Sequence, residues 1–118
     1  YLDNAGFEFR TLVRKHLDFL LACKPEQLWV RLISSINMDR VPAEHKACTN
    51  TRRVLELNNI LRVEAKNRDL PVIDTHSTTM AASPRWATDA IHFDVMATFV
   101  IAHQMLQAAL STCGIALD

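Results

Sequence analysis

An aspartate and a histidine three residues apart, Asp89 and His92, stand within the run Trp86-Ala-Thr-Asp89-Ala-Ile-His92-Phe93. One local turn brings such a pair within hydrogen-bond reach. A carboxylate on one imidazole nitrogen fixes the ring tautomer and stabilises the imidazolium, which leaves the other nitrogen as a general base. Asp89 is therefore read as the orienting acid and His92 as the base. Trp86 and Phe93 flank the pair and are candidates to line an acyl pocket or exclude water, with packing against a sheet edge as the alternative for either ring. The competing chemistry is a metal site from Asp74, His76, Asp89 and His92, all acceptable ligand types for zinc, manganese or iron, although their spacing matches no standard metal motif.

The other histidines read differently. His103 and His16 fall on apolar helical faces and are expected to be core histidines with satisfied nitrogens, whereas His45, between Glu44 and Lys46, is expected to be solvated. With only Gly6 and Gly114, the chain has no Gly-rich phosphate loop, dinucleotide fingerprint or nucleophile elbow. Cys23, Cys48 and Cys113 form no Cys-x-x-Cys pair. Cys23 and Cys113 fall near helix ends as small buried hydrophobes, and Cys48, in a polar loop, is the best candidate for a disulfide.

These side chains need elements to position them. At 118 residues the chain has room for one domain, and 49% apolar with 22% charged residues is the mix of a folded one. Thirteen basic residues balance thirteen acidic ones, which argues against a nucleic-acid partner, and no apolar run approaches the roughly 20 residues of a membrane span. No cofactor is implied. The chain opens at Tyr1 without a Met and is expected to be a piece of a longer protein.

The periodicity predicts a helix over Phe7–Cys23 with Phe9, Leu12, Val13, His16, Leu17 and Leu20 on its inner face, ended by Pro25. Leu28–Ile36 reads as a strand buried on both faces, and Asn37–Cys48 as a polar loop. A second helix is expected over Thr49–Arg68, capped by Thr49 or Thr51, with Val54, Leu57, Ile60, Leu61 and Ala65 inward. Pro71–Asp74 gives a second strand and Thr75–Thr88 a loop. Asp94 then caps a helix over Val95–Leu110 with Met96, Phe99, Val100, His103, Leu106 and Leu110 inward. The strand spacing fits parallel crossovers, and two strands are too few for a doubly wound sheet. The expected fold class is α/β, the C-terminal half of a flavodoxin-like three-layer α/β/α parallel-sheet domain, with residues 1–118 as the C-terminal part of that single domain.

Taken together, the strand Leu28–Ile36, the loop with Pro42, His45 and Cys48, the helix with Arg52-Arg53 and Asn58-Asn59-Ile60-Leu61, the strand Leu70–Thr75, and Trp86 ahead of Asp89-Ala-Ile-His92-Phe93 resemble the end of an SGNH-type hydrolase, in particular its PC-esterase branch. The resemblance covers the chain from about Leu28 onward. It implies that Asp89 and His92 belong to a Ser-His-Asp triad, acting on a small-molecule, carbohydrate or lipid acyl ester by hydrolysis or transfer. It also implies that the nucleophilic serine lies upstream of Tyr1, since the family's Gly-Asp-Ser and oxyanion blocks are not found in this chain. Ser34, Ser35, Ser77, Ser83 and Ser111 do not stand in that context, Asn37 lacks the family's oxyanion setting, and Ala90 stands where the family commonly has Gly. On this reading the 118 residues alone are inactive and of marginal stability. The alternative is a non-catalytic binding module of the same family.

Overall fold

The computed structural model describes residues 4–81 and 95–112, and side-chain surroundings over residues 6–81 and 98–111. Helix α1 (Asn4–Ala22) leads to strand β1 (Val30–Arg31) and two single 3-10 turns, Met38–Arg40 and Ala43–His45. Helix α2 (Thr51–Asn67) follows, then strand β2 (Val72–Ile73), helix α3 (Thr75–Ala81) and helix α4 (Val95–Thr112).

The strands run parallel, with Val30 opposite Val72 and Arg31 opposite Ile73, so β1, α2 and β2 form one crossover unit. The Val30 N–H donates to the Pro71 carbonyl and the Leu32 N–H to that of Ile73. Burial alternates along β1: Val30 and Leu32 are buried and Arg31 is exposed. Leu17 of α1, Val30 of β1 and Ala65 of α2 form the core beneath this unit, with Val13, Leu61, Leu70 and Val72 packed around them.

The caps explain where the helices begin and end. Asn50, not Thr49 or Thr51, caps α2: its Oδ1 accepts the Arg53 N–H at 2.9 Å. At the other end Asp69 adopts φ 54°, and the Leu70 and Asp69 N–H groups return to the carbonyls of Ala65 and Lys66. Lys24, at φ 54°, closes α1 in the same left-handed conformation.

The expected flavodoxin-like three-layer α/β/α sheet is overturned. The described residues are mostly helical, and their sheet has two strands of two residues each. The long strand expected over Leu28–Ile36 stops early because side chains, not another strand, take the backbone groups beyond Leu32: Asn58 binds Ile33 and Thr79 binds Ser35. The loop expected from Thr75 begins instead as α3. Helix faces were also read too generously. Leu12 and Leu20 of α1 and Phe99, Val100 and Leu106 of α4 are exposed, as are His16 and His103. Neither histidine is a core residue; His16 Nδ1 lies 2.9 Å from the Leu12 carbonyl, on the surface of its own helix. His45 is exposed, as expected, and Cys23 is exposed rather than buried.

Candidate functional site

In parallel crossover units, ligand and catalytic sites gather beyond the carboxyl ends of the strands. Here those ends are the segment after β1, Leu32–Ile36, and the turn after β2, Asp74–His76. Three polar side chains that are almost fully buried hold the two together: Asn58 of α2, and Thr75 and Thr79 of α3. Asn58 Oδ1 accepts the Ile33 N–H at 2.7 Å while its Nδ2 donates to the Ile33 carbonyl at 2.9 Å. The Thr75 hydroxyl donates to the Leu32 carbonyl at 2.6 Å. Thr79 Oγ1 accepts the Ser35 N–H at 2.8 Å and donates back to the carbonyls of α3. The backbone of a short extended segment is thereby fixed by side chains from two helices. Against it lies an open cleft of about 440 Å³, lined by Arg31, Leu32, Ile33, Ser34 and Ile36.

Asp74 is the hinge between β2 and α3. Its Oδ1 accepts the Ser77 N–H at 3.0 Å, an N-cap bond, and its Oδ2 accepts from the Ser77 hydroxyl at 2.8 Å and Arg62 Nη2 at 3.0 Å. Burial pushes this carboxyl up. The Ser77 N–H and hydroxyl and the Arg62 guanidinium outweigh that effect and hold it below its ordinary value. Asp74 is therefore a fixed carboxylate that clasps α2 to α3. Its carbonyl accepts from Thr78 at 3.2 Å and from Gln104 of α4, also at 3.2 Å. The Thr78 hydroxyl donates to Gln104 Oε1 at 2.7 Å.

Asp89, His92, Trp86 and Phe93 lie outside the described residues, as do Cys113 and the expected cap Asp94. Of the four residues in the metal reading, Asp74 and His76 are described. Both Asp74 oxygens are engaged, and His76 is buried with no hydrogen-bond partner for its Nε2 among the described residues. Among the described residues no three His, Cys, Asp or Glu side chains gather as a metal site. Ser77, one of the serines weighed as a nucleophile, has its hydroxyl on Asp74.

None of Asn58, Thr75, Thr79 and Gln104 is given a role in the site by the sequence reading, although Asn58 and Thr75 stand in the segments that carry the family resemblance. Asn58 had a signal: it sits four residues after Val54 and three before Leu61, a polar residue on an apolar stripe. Glu64, four after Ile60, is the same case, and it is buried with Arg14 and Arg68 on its Oε1.

No family model matches this chain, and no curated protein or solved structure matches it either. Among the described residues no helix is long and apolar enough to cross a membrane.

Proposed function

We propose that this chain supplies the acid–base pair of a serine esterase or acyltransferase acting on ester-linked acyl groups. The observation that carries the reading is the convergence of the two helices bracketing the Asp89–His92 segment. Helix α3 leads into that segment and α4 leads out of it, and both are tied to the carboxyl end of β2 at Asp74 through Thr78 and Gln104. This is the end of a parallel strand pair at which catalytic residues collect. The likeness of Trp86 and Asp89-Ala-Ile-His92 to the PC-esterase pattern names the chemistry.

In this reaction His92 takes the proton of a serine hydroxyl as that oxygen attacks the acyl carbonyl, then returns it to the departing alcohol. Asp89 keeps the imidazole in the tautomer whose free nitrogen faces the serine. The serine comes from residues outside these 118, and water or a second alcohol completes turnover.

The test uses the intact protein with p-nitrophenyl acetate. His92→Ala should lower kcat by roughly 10⁴- to 10⁶-fold with KM little changed. Equal turnover by His92→Ala and the wild type would remove His92 from the reaction, and a wild type without turnover would remove the esterase reading.

A further inference from the structure

Strand β1 gives one edge to β2 and leaves the other open. The N–H groups of Val30 and Leu32 go to the carbonyls of Pro71 and Ile73. In a parallel ladder the alternate residues turn their N–H and C=O groups the other way, so Trp29, Arg31 and Ile33 share the far edge. Asn58 takes both Ile33 groups. The main-chain groups of Trp29 and Arg31 have no hydrogen-bond partner among the described residues. The open cleft of about 440 Å³ runs beside this stretch of chain, since all the residues lining it fall within 31–36.

The side chains repeat the pattern. Val30 belongs to the core with Leu17 and Ala65, so Trp29, Arg31 and Ile33 stand on the opposite face of the sheet. Arg31 is exposed. Among the described residues its guanidinium bonds to the Ser34 hydroxyl at 3.4 Å and to no carboxylate.

Open N–H and C=O groups on an extended chain are matched by another extended main chain, and alternate side chains then set the preference. Opposite Trp29, Arg31 and Ile33 the matching side chains are apolar, acidic and apolar, at every second residue. A second copy of this edge fits worse. Pairing β1 with itself sets the two Arg31 guanidinium groups opposite or diagonal to one another on one face, and like charges so placed repel.

We propose that the outer edge of β1 is a docking site for an extended acidic peptide segment of a partner protein. The segment adds to the sheet as a further strand along Trp29–Arg31, with a carboxylate on the Arg31 guanidinium. Asn58 sets where the pairing stops, because it already fills the next position of the edge at Ile33. No part of this docking depends on the esterase reading.

The test uses the intact protein and the peptide acetyl-Thr-Leu-Thr-Glu-Thr-Leu-Thr-amide, followed by NMR at the Arg31 backbone N–H. That N–H should exchange freely with solvent in the protein alone and slow roughly tenfold or more at saturating peptide. Two analogues carry N-methyl groups on alternate residues, one on the Thr positions and one on the Leu and Glu positions. Only one of these sets of N–H groups faces β1, so one analogue should lose binding and the other keep it. Equal affinity of the two analogues overturns the proposal. Arg31→Glu, at an exposed position, should weaken the parent peptide roughly three- to tenfold and strengthen the same peptide with Lys in place of Glu. Unchanged affinity of the parent peptide for Arg31→Glu overturns the charge pairing. An Arg31 N–H that is already slow to exchange without peptide overturns the docking as well. Protection that grows with protein concentration then assigns the edge to a second copy, and protection independent of concentration assigns it to another part of the intact chain.

Discussion

The Asn58 carboxamide pairs with the Ile33 backbone as a neighbouring strand would, accepting its N–H at 2.7 Å and donating to its carbonyl at 2.9 Å. Val30 and Leu32 direct their N–H groups to β2, so with the alternation of an extended chain Ile33 turns its groups the other way. Asn58 meets them from α2. One side chain thereby satisfies a residue that would otherwise present an open sheet edge, and it couples the crossover helix to the carboxyl end of β1.

Asn58→Ala leaves both Ile33 backbone groups without their partner in a site where Asn58 is 4% exposed. Each orphaned group costs on the order of 1–3 kcal/mol, so the urea midpoint of unfolding should fall clearly. Asn58→Asp keeps the acceptor for the Ile33 N–H but sets a carboxylate against the Ile33 carbonyl, and should be at least as damaging at neutral pH. If Asn58→Ala unfolds at the wild-type midpoint, the paired amide is not holding this segment.

Acid should weaken the contact between α1 and α2. Glu64 of α2 is 1% exposed, and its Oε1 takes Arg14 of α1 and Arg68; Arg68 also donates to Asp18 of α1 at 2.8 Å. Burial raises the Glu64 carboxyl, but Arg14 and Arg68 together outweigh it and the net shift is downward; Asp18 is lowered chiefly by its hydrogen bond to Arg68. A carboxylate with a depressed folded-state pKa contributes stability above its unfolded value, about pH 4, and loses it as pH falls through the folded value. Glu64→Gln should therefore be less stable than wild type at pH 7 by roughly 1.5–3 kcal/mol. The gap should close as pH drops below about 4. A gap of constant size from pH 7 to pH 3 would show that the charge on Glu64 does not matter.

How much of this was legible in the sequence follows from the same residues. The order α1, β1, α2, β2 and the parallel crossover around α2 were readable, because periodicity and breakers such as Pro25 and Pro71 are local signals. Strand length was not. It is decided by where Asn58 and Thr79 intercept the backbone after Leu32, and those contacts span 25 and 44 residues. Helix α3 was missed because Thr75-His-Ser-Thr-Thr is a poor helix former by intrinsic propensity. Its Asp74 cap and the anchoring of Thr75 and Thr79 to the β1 segment override that preference. On α4 the largest side chains indicated one face, and the amide of Gln104 docks another. Periodicity reports that a face is apolar, not what lies against it.

Cys23 and Cys48 are free and exposed. Both should react with Ellman's reagent in the folded protein without denaturant. Fewer than two fast-reacting thiols in the reduced, folded chain would contradict the exposure of one of them.

The two left-handed residues make the last prediction. Asp69 and Lys24 both sit at φ 54°, each just past a helix end, where a side chain with a Cβ is strained and glycine is not. Asp69→Gly and Lys24→Gly should each relieve that strain, against which the extra freedom glycine gives the unfolded chain is a smaller loss. Each should stabilise by a few tenths to about 1 kcal/mol, read as a raised urea midpoint at constant slope. Asp69→Val should go the other way, because a β-branched side chain tolerates the left-handed region worst. The pair of substitutions at one position isolates the backbone: Asp69 is exposed and pairs through none of the ion pairs that join α1 and α2, so both variants remove the same carboxylate. A midpoint for Asp69→Gly at or below that of Asp69→Val would mean that position 69 does not hold the left-handed conformation in solution.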